Sequence, residues 1–255
     1  MSDARTPSFG GNRDAYAAFR PSYPDALFDR ILAALPATHR QRAADLGAGT
    51  GLSTLPLCRS FAEVLAIEPD QHMSAALHDL HPAIRVLHTS AEQAQIPPAS
   101  LDLVTSATAF YWMDGDRVAR LAQQWLRPRG VLAVYRYGII GGPDGLMALM
   151  RREMHERWDA VRHPRLRDED YSRRTIAAVP GWASVEIFQV PNNVPLPADR
   201  VVGFLRTASY VHAYTRTLAD AEAYYATLEA ELRRTHPGDL IPVNFGLELV
   251  LARNP

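Results

Sequence analysis

The sequence contains no lysine, one cysteine and no long apolar run. All 27 basic side chains are arginines, which excludes chemistry that needs a lysine amine, such as a Schiff base or a P-loop phosphate site. The single cysteine, Cys58, excludes a disulfide within the chain, and no Cys/His spacing predicts zinc binding. We therefore predict neither a disulfide framework nor a metal site.

Charge and hydropathy also exclude several classes of partner. The net charge is −1 over 255 residues, which provides no overall field for nucleic acid or for an anionic membrane. The first residues lack a charged-then-apolar signal pattern, and no apolar run approaches the roughly 18 residues of a membrane helix. We expect a soluble cytoplasmic protein, monomeric or homodimeric, that binds a small molecule and neither nucleic acid nor membrane.

The most informative segment of the chain is a glycine turn between two apolar strands. Residues 43–54 read AADLGAGTGLST, and residues 64–70 read VLAIEPD. Glu68 lies 19 residues after Gly49, and a carboxylate at about this distance from a glycine turn commonly holds a ribose diol. The pattern predicts an adenosyl cofactor.

The spacing of the glycines separates the candidate cofactors. The turn is G-x-G-x-G, whereas the dinucleotide fingerprint is G-x-G-x-x-G. Asp45, two residues before the first glycine, would repel a pyrophosphate, which helix N-terminal amides otherwise bind. S-adenosylmethionine (SAM) carries a sulfonium and an ammonium group and no phosphate, so the sequence favours SAM over NAD.

Four segments, in the same order and at similar spacing, resemble class I SAM-dependent methyltransferases of the type 11 group. They are DLGAGTG at 45–51, IEPDQHM at 67–73, SAEQA at 90–94 with LDLV at 101–104, and LRPRGVL at 126–132. The resemblance is close over about residues 40–136. It implies SAM as cofactor and S-adenosylhomocysteine as product.

The alternation of short apolar strands and helices predicts an α/β fold with a parallel sheet covered on both faces. Strands are expected near 42–47, 63–68, 84–88, 101–106 and 130–136, then at 184–190 and 241–252. The resemblance implies a Rossmann-like sheet of seven mostly parallel strands, with one antiparallel strand and a helical insertion between strands five and six.

We expect one domain over residues 1–255. After a disordered start to about residue 11, its parts are an N-terminal helical lid at 1–36, a SAM-binding core at 40–138, a helical insertion at 139–183, and a segment at 184–255 that completes the sheet and supplies substrate-side helices.

Candidate cofactor residues follow from the turn, from the strand end at Glu68 and from the resemblance. Glu68 is expected to accept both ribose hydroxyls, and the glycines to let the backbone approach the methionine tail. The N-terminal segment from Tyr16 to Pro24 resembles the entrance segment of trans-aconitate methyltransferase-like enzymes, which implies that Arg20 pairs with the cofactor carboxylate. The candidates are Tyr16, Arg20, Asp45, Gly47, Ala48, Gly49, Glu68, Pro69, Asp70, Met73, Ala91, Glu92 and Ala107.

Candidate acceptor residues lie after strands four and five and in the C-terminal helices. Tyr111 and Trp112 stand where relatives have an aromatic pair, and an aromatic wall suits a sulfonium through cation–π attraction. Arg136 and Tyr210 are expected to orient an anionic substrate. Tyr111 and His212 are the candidate catalytic residues if the acceptor requires a base.

The sequence therefore predicts a methyltransferase that acts on a small metabolite, with an acidic or natural-product acceptor among the open classes. Methyl transfer would proceed by direct displacement with alignment and exclusion of water. The alternatives are a SAM-using enzyme of the cyclase type that does not transfer the methyl group, and a non-catalytic SAM-binding regulator.

Overall fold

The structure is a computed structural model that describes residues 13–81 and 83–255. The expected disordered start up to residue 11 lies outside the described residues. Within the described ranges, none of the helices is long and apolar enough to cross a membrane.

The strands follow the predicted apolar segments. They are β1 (Arg42–Leu46), β2 (Glu63–Ile67), β3 (Arg85–Leu87), β4 (Leu101–Ala107), β5 (Leu126–Gly141), β6 (Ser184–Val190), β7 (Asn193–Leu196) and β8 (Ile241–Arg253). The order in the sheet is β3-β2-β1-β4-β5-β8-β6, with β7 also paired to β8. The first five strands are parallel to one another, and β8 is antiparallel to its three neighbours. The fold is the predicted Rossmann-like α/β sheet.

The sheet has eight strands, one more than expected, because its sixth strand is interrupted. Val190 pairs with Leu247 and Asn193 pairs with Asn244, so β6 and β7 keep one continuous register along β8. Pro191 lies in the gap and has no N–H to donate to a ladder. The buried Asn192 beside it accepts from the Phe245 amide, 2.9 Å away.

Helices cover both faces of the sheet. They are α1 (Arg13–Phe19), α2 (Asp25–Ala33), α3 (Thr54–Leu57), α4 (Gln71–Leu80), α5 (Gly115–Trp125), α6 (Asp144–Glu153), α7 (Pro164–Arg167), α8 (Tyr171–Ala178), α9 (Ala198–Arg206), α10 (Ser209–Thr215) and α11 (Ala221–Thr235). One apolar cluster joins α2, α9 and α11 to one face of β5 and β8, and a second joins α5 and α8 to the other face.

A short break separates α9 from α10. Thr207 follows α9 and donates its hydroxyl to the Phe204 carbonyl, 2.6 Å away. The same hydroxyl accepts from the guanidinium of Arg20 at 2.9 Å. This pair of bonds ends α9 and ties it to the N-terminal segment.

Candidate functional site

A cavity of about 650 Å³ lies along the carboxyl edge of the sheet. Open α/β sheets bind ligands at this edge, where the strand order reverses; here the reversal lies between β1 and β4. Most of the residues predicted to bind cofactor or acceptor line the cavity: Tyr16, Arg20, Gly47, Gly49, Glu68, Pro69, Met73, Ala91, Glu92, Ala107, Tyr111, Trp112, Arg136 and Tyr210.

The glycine turn after β1 holds backbone that only glycine adopts easily. Gly47 and Gly49 have φ values of +70° and +57°, in the left-handed region. A Cβ on Gly47 would lie 2.5 Å from the Cβ of Ala109, whereas the space over Gly49 is open for 4 Å. The turn therefore packs against the segment after β4 on one side and exposes bare backbone to the cavity on the other.

Glu68 ends the second strand and connects two parts of the site. Its carboxylate accepts from the Gly49 amide at 2.8 Å and from the Asp70 amide at 2.9 Å. Burial raises the pKa of Glu68 above the usual carboxyl range, and these two backbone bonds offset part of that rise. The carboxylate thus links the glycine turn to the start of α4 while it lines the cavity.

Four predicted residues do not line the cavity. Asp45 is fully buried behind the turn, where its carboxylate accepts from Ser53, Thr54 and Thr105. Asp70 caps α4 by accepting from the His72 and Met73 amides.

The other two residues outside the cavity lining are Ala48 and His212. Ala48 is buried within the turn. His212 is exposed on α10. Partial burial nevertheless lowers the pKa of His212, and Arg216 lowers it further.

The N-terminal segment brings a partly buried cation to the cavity. Arg20 lies between the rings of Tyr16, Phe204 and Tyr137, with its guanidinium carbon 4.6, 5.3 and 5.5 Å from the ring centroids. Its hydrogen bonds go to Thr207, and no carboxylate among the described residues forms an ion pair with it. Arg20 therefore supplies a positive charge to the cavity.

Glu92 also lines the cavity. Its side chain accepts from the Asp114 amide at 2.8 Å, and its carbonyl accepts from Arg117. These bonds fix the turn after β3 against the start of α5. Met73 and Ala91 line the cavity beside it.

The aromatic pair follows β4 in a helical turn, Phe110–Trp112. The Tyr111 and Trp112 ring centroids are 5.2 Å apart. Burial raises the pKa of Tyr111 further above neutrality, and the nearby Arg20 only partly offsets it. The Tyr111 hydroxyl is therefore protonated at neutral pH, where it can donate a hydrogen bond but cannot act as a base.

Another part of the cavity lies where β5 extends beyond its neighbour β4. β4 pairs with β5 as far as Ala107 and Tyr135, and β5 continues to Gly141. Arg136 faces the cavity there, 3.7 Å from the Glu248 carboxylate and within hydrogen-bond distance of the Glu169 carbonyl.

Sequence reasoning missed the residues that the insertion brings to this part of the cavity. Arg162, Leu166 and Glu169 line the cavity. Arg165 donates to the Met113 carbonyl at 2.6 Å and to the Tyr111 carbonyl at 3.3 Å. No local signal could have found them, because the charged run from 151 to 174 has the pattern of a solvated face.

A family model, described as a methyltransferase domain, matches residues 44–134. This range contains the glycine turn, Glu68, the Glu92 segment and the aromatic turn. Over these residues the chain therefore contains a methyltransferase domain. In the part of the chain that the structure describes, no group of three or more His, Cys, Asp or Glu side chains is arranged to hold a metal ion.

Relatives of the methyltransferase domain are found in bacteria and fungi. An uncharacterized methyltransferase of Mycobacterium tuberculosis is 37% identical over 127 residues, 50% of this chain and 51% of that protein. The methyltransferase pgmE of Aspergillus terreus is 28% identical over 138 residues, 49% of this chain and 41% of that protein. The matched part of this chain spans about half the length of these curated relatives or less.

Solved structures share the fold over nearly the whole chain. A candidate type II methyltransferase from Anaeromyxobacter dehalogenans is 28% identical to this chain, with a TM-score of 0.75. The match covers 93% of this chain and 98% of the Anaeromyxobacter chain. A Haemonchus contortus phosphoethanolamine N-methyltransferase, solved with phosphomonomethylethanolamine and S-adenosylhomocysteine, is 16% identical with a TM-score of 0.52. The match covers 97% of this chain and 57% of the Haemonchus chain.

Proposed function

We propose that the protein transfers a methyl group from SAM to a small-molecule acceptor. The observation that carries this proposal is the single cavity that joins Glu68 and the glycine turn at one end to Arg136 and Tyr210 at the other. Its volume, about 650 Å³, lies within the range of roughly 300–1,000 Å³ for small-molecule sites. A macromolecular acceptor would instead require an open groove or a charged surface.

The residues at the cofactor end fit SAM. The buried Glu68 carboxylate suits the ribose hydroxyls, and the open space over Gly49 leaves room for the methionine tail against bare backbone. Arg20 provides the charge for the carboxylate of that tail. Asp45, Ala48 and Asp70 would support the turn and α4 rather than touch the cofactor.

When bound, SAM supplies an electrophilic methyl carbon, whose bond to sulfur breaks with the electron pair left on sulfur as the new bond to the acceptor atom forms. The chain provides alignment and a dry site for this step. Tyr111 and Trp112 form an aromatic wall between the two ends, where a sulfonium would be stabilised. An acceptor proton, where there is one, leaves through a group other than Tyr111, because that hydroxyl is already protonated.

The charges of the cavity bear on the acceptor. Three arginines and four glutamates line it. Arg136 lies 3.7 Å from the Glu248 carboxylate, which offsets part of its positive charge. This pairing weighs against an acidic acceptor, one of the classes that the sequence left open.

The test is transfer of label from methyl-labelled SAM into a small-molecule extract, with Glu68→Ala as the matched control. We expect label in a product of low molecular mass with the natural protein and none with the variant. Calorimetry with S-adenosylhomocysteine measures cofactor binding separately. Label found only in macromolecules, or a protein that binds S-adenosylhomocysteine without turnover, would contradict the proposal.

A further inference from the structure

The acceptor end contains an unfilled slot over a pair of glycines. Gly138 on β5 and Gly246 on β8 are directly opposite in the antiparallel register, and both line the cavity. We propose that Gly138 is the specificity-determining position of the acceptor site, and that the acceptor is a flat, uncharged ring compound with a hydrogen-bonding substituent. This inference rests on the proposed function.

The two glycines differ in what lies above them. Apart from its chain neighbours, no atom lies within 4 Å of the position that a Cβ on Gly138 would occupy, so the cavity reaches the backbone there. A Cβ on Gly246 would lie 2.0 Å from Cδ1 of Ile140. The exposed Ile140 side chain therefore lies across Gly246 and closes one side of the slot.

The other side of the slot is a polar row across three strands. Arg136, Glu248 and Gln189 are in register on β5, β8 and β6, and all three line the cavity. The row offers both donors and acceptors, and its cation and anion compensate each other. It therefore suits a neutral substituent, such as a hydroxyl group, that donates and accepts at once.

The remaining arginine at this end is also compensated. Arg162 lies 3.5 Å from the Asp159 carboxylate. Arg20, the one cavity arginine without an ion-pair partner among the described residues, lies at the cofactor end. The positive charge without a carboxylate partner is thus placed where the cofactor carboxylate is proposed to bind, whereas each of the two arginines at the slot has a carboxylate within 4 Å.

The shape of the slot favours a flat molecule. On one face of β5, Arg136 and Ile140 are the side chains on either side of Gly138. A ring can approach the bare peptide planes of β5 closely, whereas a puckered ring of the same size would be held away by its axial hydrogens. Trp112, Met150 and Met154 line the same cavity, and aromatic and thioether groups make favourable contacts with aromatic rings.

The test uses three probes of matched size and one pair of matched variants. The probes are 2-naphthol, its saturated analogue decahydro-2-naphthol, and the anion 2-naphthoate, each titrated by calorimetry into protein saturated with S-adenosylhomocysteine. Gly138→Val places a side chain in the slot, at a strand position where a β-branched residue is favoured. Gly238→Val is the control, since Gly238 lies in the loop before β8 and does not line the cavity.

We expect 2-naphthol to bind about tenfold or more tightly than either other probe, because the saturated ring does not fit against the bare backbone and the slot does not favour a charged carboxylate. Gly138→Val should weaken 2-naphthol binding by about tenfold or more because its side chain occupies the slot, with unchanged S-adenosylhomocysteine binding and an equal or higher Tm. Gly238→Val should change neither affinity.

Each other result overturns a stated part of the inference. Equal 2-naphthol binding by the natural protein and Gly138→Val would remove Gly138 from the acceptor site. If decahydro-2-naphthol bound more tightly than 2-naphthol, the preference for a flat ring would be refuted. If 2-naphthoate bound more tightly, an acidic acceptor would be favoured again. If none of the probes bound, the proposed class of ring compounds would be refuted. Failure of the proposed function is a separate result: loss of S-adenosylhomocysteine binding, or no methyl transfer to any small molecule.

Discussion

The two ends of the cavity are built in different ways. The cofactor end comes from residues close in sequence, since the turn after β1 and the end of β2 are joined by the bond from the Gly49 amide to Glu68. The acceptor end comes from distant parts of the chain, where Arg136, Glu169 and Glu248 meet only because β5 pairs with β8 and the insertion folds back. Neighbouring residues leave a pattern in the sequence that shows their common site, whereas the contacts of Arg136 with Glu169 and Glu248 leave none.

The comparison of the two ends predicts that, among single substitutions, one at Glu68 has the largest effect on cofactor binding. Glu68→Ala should weaken S-adenosylhomocysteine binding by about 2–4 kcal/mol, because two bonds to the ribose are lost and the amides of Gly49 and Asp70 lose their acceptor. Calorimetry measures the change. Glu63→Ala, at the opposite end of the same strand, is the control, and a similar loss in that variant would mean that the effect reflects stability alone.

The raised pKa of Glu68 gives the second prediction. Because burial raises this pKa, the carboxylate is protonated at a higher pH than an ordinary glutamate, and S-adenosylhomocysteine affinity should fall on acidification from above the usual value of about 4.3. Below the raised pKa the loss should approach about tenfold per pH unit. Titrations of the natural protein and Glu68→Gln test this, since the variant should show no such slope.

The raised pKa of Glu68 affects the stability of the free protein in the opposite direction to ligand binding. A carboxyl whose pKa is raised in the folded state binds more protons there than in the unfolded state. The free energy of unfolding contributed by Glu68 therefore decreases as pH rises from the ordinary value through the raised one. Acidification should thus weaken ligand binding while this group favours folding, which separates the two effects in one pH series.

At the acceptor end, a smaller effect is expected from Arg165→Ala. Arg165 donates hydrogen bonds to the carbonyls of Tyr111 and Met113, and these bonds join the insertion to the aromatic wall. Loss of these bonds should weaken 2-naphthol binding by about 1–2 kcal/mol, with S-adenosylhomocysteine affinity unchanged. Arg165→Lys keeps one donor, so its 2-naphthol affinity should lie between those of the natural protein and Arg165→Ala. Equal losses for both ligands would contradict the independence of the two ends.

The features that the sequence predicted correctly are those set by residues close together in the chain. The apolar segments predicted β1, β2, β4 and β6 nearly to the residue, and the fold class with them. The length of β5 was underestimated, because only pairing with β8 shows that the strand continues past Arg136 to Gly141. The facing glycines 138 and 246 likewise depend on register between strands far apart in sequence, which no local pattern records.

Residues can also be recognised by pattern and still play a supporting part. Asp45 belongs to the motif that identifies the domain, yet its carboxylate is buried among three hydroxyl donors. Burial raises its pKa, and those donors offset part of the rise. Asp70 caps α4 as an aspartate at the N-cap position commonly does. A motif therefore identifies the cofactor end reliably but does not say which of its members face the ligand.

His212 gives the smallest expected effect and the sharpest limit on the acceptor end. It is exposed on α10 outside the cavity lining, although Tyr210, two residues earlier, lines the cavity. Since successive helical residues face different directions, placing Tyr210 in the cavity turns His212 away from it. We therefore expect His212→Ala to keep kcat, and its pH profile, within about twofold of the natural protein. Loss of an ionisation from the kcat profile in this variant would instead place the base of the reaction on α10 and extend the acceptor end to that helix.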